Sequence, residues 1–75
     1  VKLVTHEIRC PLTGTVIEVS VSVGDTVTEG DLLVVIESMK MENEVFSEVS
    51  GTVTEVRIEE DQNVSEEAVI VVIRN

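Results

Sequence analysis

Apolar and polar positions alternate along most of this chain, with the period of two that sets one face of a strand against a core. In residues 1–9, Val4, His6 and Ile8 fall on one side, and Thr5, Glu7 and Arg9 on the other. Cys10-Pro11-Leu12-Thr13-Gly14 ends that run, because Pro11 has no N–H for a ladder and Gly14 permits a turn. A second strand is predicted over residues 15–23, where Val19, Val21 and Val23 alternate with Glu18, Ser20 and Ser22. Val16 is out of phase with those valines, which predicts a bulge or a strand passing between sheets. Gly24-Asp25 and Glu29-Gly30-Asp31 read as turns, and Val27 between them as a single apolar plug. Residues 32–37 are almost continuously aliphatic, as in a strand buried on both sides. Residues 41–46 alternate again, so Met39-Lys40 falls at the tip of a tight hairpin. A turn at Ser50-Gly51, a strand over 52–58, an acidic loop over 59–67 and a strand over 68–73 complete the chain. No stretch carries the helical period, so the chain reads as all-β.

The second half repeats the first. Shifted by 37 positions, Gly14-Thr15-Val16 falls on Gly51-Thr52-Val53, and Glu18-Val19 on Glu55-Val56. Val27 then meets Val64, Glu29 meets Glu66, and Val34-Val35-Ile36 meets Val71-Val72-Ile73. Between residues 4–37 and 41–74, 11 of 34 positions are identical. Two copies are too few for a solenoid, which needs about three or more. They predict one domain, residues 1–75, with an internal two-fold axis relating two packed halves. In that register Lys40 is the counterpart of Leu3. The termini are therefore expected at the end of the molecule opposite the hairpin, leaving the lysine free and the other end able to carry a linker. Short strands, regular turns and the two-fold together predict a flattened barrel or sandwich of two small sheets.

Composition narrows the chemistry. Phe46 is the one aromatic residue, so the core has to be built from β-branched aliphatics. A formal net charge of −10 argues against nucleic acid or an anionic membrane as partner, since phosphates repel an acidic surface. No run approaches the roughly 20 apolar residues of a membrane span, and no secretory leader is visible. Cys10 has no second cysteine with which to form a disulfide, which suits a cytoplasmic setting. His6 is the single histidine, and nothing pairs it with Cys10 at a catalytic spacing. One Cys and one His cannot close a tetrahedral metal site.

Lys40 is the position with chemical promise. Lys2 is the other lysine and lies at an end expected to fray. Glu37, Glu42 and Glu44 around Lys40 favour its charged form, the wrong direction for a lysine acting as base or Schiff-base nucleophile. A lysine at a protruding turn is better suited to modification by another enzyme, which supplies the pocket that deprotonates it. Met39 and Met41 are unbranched, uncharged and adaptable to a partner's surface. Spacing and charge alone equally allow an ordinary hairpin lysine, with both methionines filling gaps over the sheet.

Glu37-Ser38-Met39-Lys40-Met41-Glu42-Asn43-Glu44 resembles the attachment motif of biotin carboxyl carrier domains, whose core is Met-Lys-Met. Gly14-Thr15-Val16, Gly24-Asp25, Val27, Gly30, Glu37 and Gly51 resemble that family's framework, so the likeness covers residues 11–73. The resemblance implies a flattened barrel-sandwich of two four-stranded antiparallel sheets with a pseudo-two-fold. It implies biotin joined by an amide to the Lys40 ε-amine, with Met39 and Met41 read by biotin protein ligase. It also implies a carrier rather than an enzyme, shuttling carboxyl groups between biotin carboxylase and carboxyltransferase subunits or domains. Two departures stand out. Ser38 replaces the usual Ala, and the protruding insertion of many bacterial acetyl-CoA carboxylase carriers is missing between Gly14 and Gly24. The second departure makes the chain more similar to carriers of acyl-CoA, oxaloacetate or pyruvate systems. A lipoyl carrier shares the implied fold, but its motif places an acidic residue before the lysine and a small one after it. An unmodified scaffold of the same fold has no need of a lysine between two methionines.

Overall fold

The computed structural model describes residues 3–75; Val1 and Lys2, with the expected fraying of Lys2, lie outside the described residues. Eight strands follow one another: β1 (Thr5–Arg9), β2 (Gly14–Val19), β3 (Thr26–Val27), β4 (Leu32–Ser38), β5 (Met41–Phe46), β6 (Gly51–Val56), β7 (Asn63–Val64) and β8 (Val69–Arg74). There is no helix among the described residues, and hence none long and apolar enough to cross a membrane. The strands form two four-stranded sheets, ordered β1-β8-β6-β3 and β5-β4-β2-β7, with every pairing antiparallel. Moving each strand four places along the chain turns one order into the other, so the sequence repeat is a structural two-fold.

The symmetry extends to irregularities. A bulge interrupts the β2–β4 pairing between Val16 and Glu18, and its counterpart interrupts β6–β8 between Val53 and Glu55. This is the phase break that Val16 announced. The core between the sheets is wholly aliphatic apart from the Cys10 thiol, and includes Val16, Leu33, Ile36, Val53, Ile70 and Ile73. Phe46 remains 49% exposed, so the core contains no aromatic ring. Val27 and its counterpart Val64 are buried plugs, as expected, each within a two-residue strand.

Four boundaries differ from expectation. The strand expected over 15–23 ends at Val19, because the chain turns at Ser22–Asp25 and leaves Val23 64% exposed. The strand expected over 52–58 ends at Val56, and Ile58 is buried from the loop beyond it. Gly14 and Gly51 are not turn residues; they are the first residues of β2 and β6. A Cβ on Gly14 would stand 2.4 Å from the Glu37 carbonyl oxygen, and one on Gly51 2.5 Å from that of Arg74. Close passage of two backbones, rather than a special dihedral, demands glycine at both places.

The molecule is elongated, 43 × 18 × 17 Å, and the two-fold exchanges its ends. At one end β4 and β5 meet in the hairpin. At the other, Val4 and Asn75 exchange two backbone hydrogen bonds of 2.9 and 3.0 Å. The Ser22–Asp25 turn follows β2 on the side away from the hairpin, and it is bonded to Val53 beside the last strand. Val4 and Asn75 therefore lie with the far end of β4, separated from Lys40 by the length of that strand.

Candidate functional site

The hairpin is built by the strands beneath it. Residues 32–38 form β4 because its aliphatic side chains are buried, with Leu33, Val34 and Ile36 wholly enclosed. β5 returns antiparallel in a register that pairs Ser38 with Met41, Glu37 with Glu42 and Ile36 with Asn43. Two residues remain for the loop, Met39 at φ 53° and Lys40 at φ 66°. Both central residues are left-handed, the condition for the two-residue hairpin turn whose twist matches its strands. Glycine or asparagine usually fills such positions, and each other residue there costs about 1 kcal/mol. Neither Met39 nor Lys40 relieves that cost, so the turn is held by the sheet below it rather than by its own preferences.

What the strain presents is the Met-Lys-Met triplet. Met39 is 92% exposed and Met41 66% exposed, and Lys40 between them is exposed as well. Methionines filling gaps over the sheet would be covered, so Met39 and Met41 do not have that role here. The two ion pairs among the described residues are Arg9–Glu7 at 3.0 Å and Arg57–Glu55 at 3.2 Å, and Lys40 takes part in neither. Hydrogen bonding to Glu55, reinforced by its charge, raises the Arg57 guanidinium above its ordinary pKa. Glu37 and Glu42 face one another across the strands just below the turn, an arrangement of like charges that weakens pairing. The hairpin therefore combines backbone strain, like-charge opposition and exposed thioethers around one amine.

The remaining chemical candidates are structural. Cys10 is completely buried, and its Sγ donates to the Leu12 carbonyl at 2.9 Å. Its symmetry mate Ser47 is also buried and donates its hydroxyl to the Val49 carbonyl. The thiol thus does the work of a serine hydroxyl at the start of a loop. His6 lies within hydrogen-bond reach of the Asn75 side chain, 3.3 Å from Nε2 to Oδ1, far from any catalytic partnership with Cys10. No group of His, Cys, Asp and Glu suited to a metal ion occurs among the described residues.

One contributor received no role from sequence. Asn43 is half-buried, on the side of β5 that also carries the buried Val45. Its Nδ2 donates to the Ile36 carbonyl at 3.4 Å and the Met41 carbonyl at 3.3 Å. A polar residue in the inward phase of an alternating strand was the visible signal.

Residues 6–73 match the family model described as "Biotin-requiring enzyme", and the chain belongs to that biotin/lipoyl attachment family. It is 54% identical over 35 residues to a biotin carboxyl carrier protein of Streptococcus mutans, covering 47% of this chain and 27% of that protein. Over 38 residues it is 55% identical to the biotin-dependent acyl-coenzyme A carboxylase alpha3 subunit of Mycobacterium leprae, covering 51% of this chain and 6% of the subunit. The matched stretches are thus about a quarter or less of these relatives' own lengths. Among solved structures, a single-chain, multi-domain long-chain acyl-CoA carboxylase superposes with a TM-score of 0.85 at 29% identity, over 91% of this chain and 7% of that one.

Proposed function

We propose that this domain is a biotin carboxyl carrier, with biotin joined through an amide to the ε-amine of Lys40. The observation that carries this reading is the exposed, left-handed Met39-Lys40 turn with Met41 beside it, in a chain of the biotin-requiring family. The residues suit the group. A primary amine at a protruding tip is open to a modifying enzyme, and among the described residues Lys40 is the one lysine and takes part in no ion pair. Met39 and Met41 supply adaptable apolar contacts for biotin protein ligase, whose pocket takes the proton that the amine must lose.

Biotin so attached supplies a ureido nitrogen able to take up and give back a carboxyl group. The chain's own part is to anchor, project and insulate. Lys40 forms the root of a flexible arm, and the sheets beneath keep that root away from Val4 and Asn75 at the opposite end. Tethering makes delivery between a biotin carboxylase site and a carboxyltransferase site effectively intramolecular. Relatives named as a biotin carboxyl carrier protein and a biotin-dependent acyl-coenzyme A carboxylase subunit support a carrier role in carboxyl transfer, and the net charge of −10 favours docking surfaces that are basic.

Intact mass after incubation with biotin ligase, ATP and biotin tests the reading. A gain of one biotinyl group, mapped to Lys40 and lost in Lys40→Arg with the fold intact, is the expected result. No gain on folded, unmodified protein, or acceptance of lipoate instead, would overturn it.

A further inference from the structure

Asn43 stands three residues beyond Lys40, where the alternation of β5 calls for an apolar side chain. A polar group turned inward is unfavourable unless it is bonded. The Asn43 amide donates across the hairpin to the Ile36 carbonyl on β4 at 3.4 Å and back along its own strand to the Met41 carbonyl at 3.3 Å. Met41 belongs to the Ser38–Met41 pair that closes the turn, and Ile36 lies two rungs below it, opposite Asn43. Directly above, Met39 and Lys40 hold left-handed dihedrals that neither residue favours. Loosening the pairing below would let the turn relax into other conformations and move the Lys40 amine. The counterpart of Asn43 at the opposite end is His6, whose ring meets Asn75 on the neighbouring strand's extension. In both halves this place in the fold holds a side chain that ties adjacent chain segments at the tip.

We propose that Asn43 is a positioning residue for the modification of Lys40. Its carboxamide locks β4 to β5 beneath the turn, preserves the left-handed Met39-Lys40 conformation, and so fixes where the amine meets the ligase. This rests on the reading of Lys40 as the attachment site. Small displacements of a reacting group cost large factors in rate, so a hairpin that wanders is a poor substrate even when folded.

Threonine and valine at position 43 separate the roles, since they share a shape and both favour strands, but only threonine keeps a donor. The measurements are kcat/KM for biotin transfer well below the unfolding midpoint, the midpoint itself, and 15N relaxation dispersion at Met39 and Lys40. Asn43→Val is expected to lose about tenfold in kcat/KM. Its midpoint should match that of Asn43→Thr, and exchange broadening should appear at Met39 and Lys40. Asn43→Thr should stay within about threefold of the natural domain. Equal rates for Asn43→Val and the natural domain would overturn the proposal. So would equal losses in both variants, or a slower Asn43→Val with undisturbed Met39 and Lys40 signals. If the natural domain takes no biotin at Lys40, the attachment reading fails instead, and the relaxation data still report on the clamp.

Discussion

The turns at Gly24 and Asp61 occupy the same place in the two halves, yet one is glycine and the other a carboxylate. Gly24 has φ 97° and Asp61 φ 70°; likewise Gly30 has φ 95° and its counterpart Glu67 φ 75°. The hydrogen bonds around each pair coincide. Gly24 N donates to the Val53 carbonyl as Asp61 N donates to that of Val16, and Gly30 N donates to Ser47 as Glu67 N donates to Cys10, all at 2.7–2.8 Å. The first half also caps both turns with side chains, Asp25 accepting from Ser22 N and Asp31 from Thr28 N, each at 2.8 Å. The second half keeps one such cap, Gln62 accepting from Glu59 N at 2.9 Å, and loses the other because Ala68 has no acceptor. Tertiary hydrogen bonds thus impose the left-handed turn whether or not the local residue favours it. The first half has residues suited to its turns; the second tolerates residues that are not.

Symmetric substitutions sharpen this comparison. The largest effect is expected at the two close approaches, where Gly14→Ala and Gly51→Ala should each lose about 2–3 kcal/mol by overpacking against backbone. Urea unfolding reads the loss, and the two values should agree, because Ile36 and Ile73 crowd the new methyl at 2.8 and 2.9 Å. Only Gly14→Ala should also slow biotin transfer, since Glu37 leads directly into the hairpin. A smaller gain is expected from Glu67→Gly, about 1 kcal/mol, with less from Asp61→Gly because a short carboxylate tolerates the left-handed region better. A rise in the thermal midpoint for both would show that the second half carries the strain; a fall in both would erase the contrast. The smallest change is expected for Cys10→Ser, within about 1 kcal/mol, because Ser47 already shows that a buried hydroxyl is satisfied in this setting. A large loss there would mean that the two loops are less equivalent than their bonds imply.

Much of the fold and the site is legible in the order of residues alone. The alternation of apolar residues identifies the strands, and the 37-residue repeat foretells two sheets exchanged by a two-fold. Val16, one residue out of phase, marks a bulge that recurs at Val53. The Met39-Lys40-Met41 triplet points to the site by its position between two strands and by its resemblance to attachment motifs. Residues 20–23 mislead, since serine-valine alternation looks the same on a strand as on a loop that happens to expose Val23. Gly14 and Gly51 mislead differently: composition flags glycine for turns, but crossing backbones leave no mark on local pattern.

The sequence by itself determined the all-β character, the aliphatic core, the internal symmetry and the candidate lysine between two methionines. These follow from periodicity and repetition, which are properties of neighbours along the chain. Only the tertiary structure decided that Met39 and Lys40 are left-handed, that Glu37 confronts Glu42, and that Asn43 bridges both strands beneath the turn. Each of these depends on register, and register is set by burying all eight strands at once rather than by any single stretch of residues.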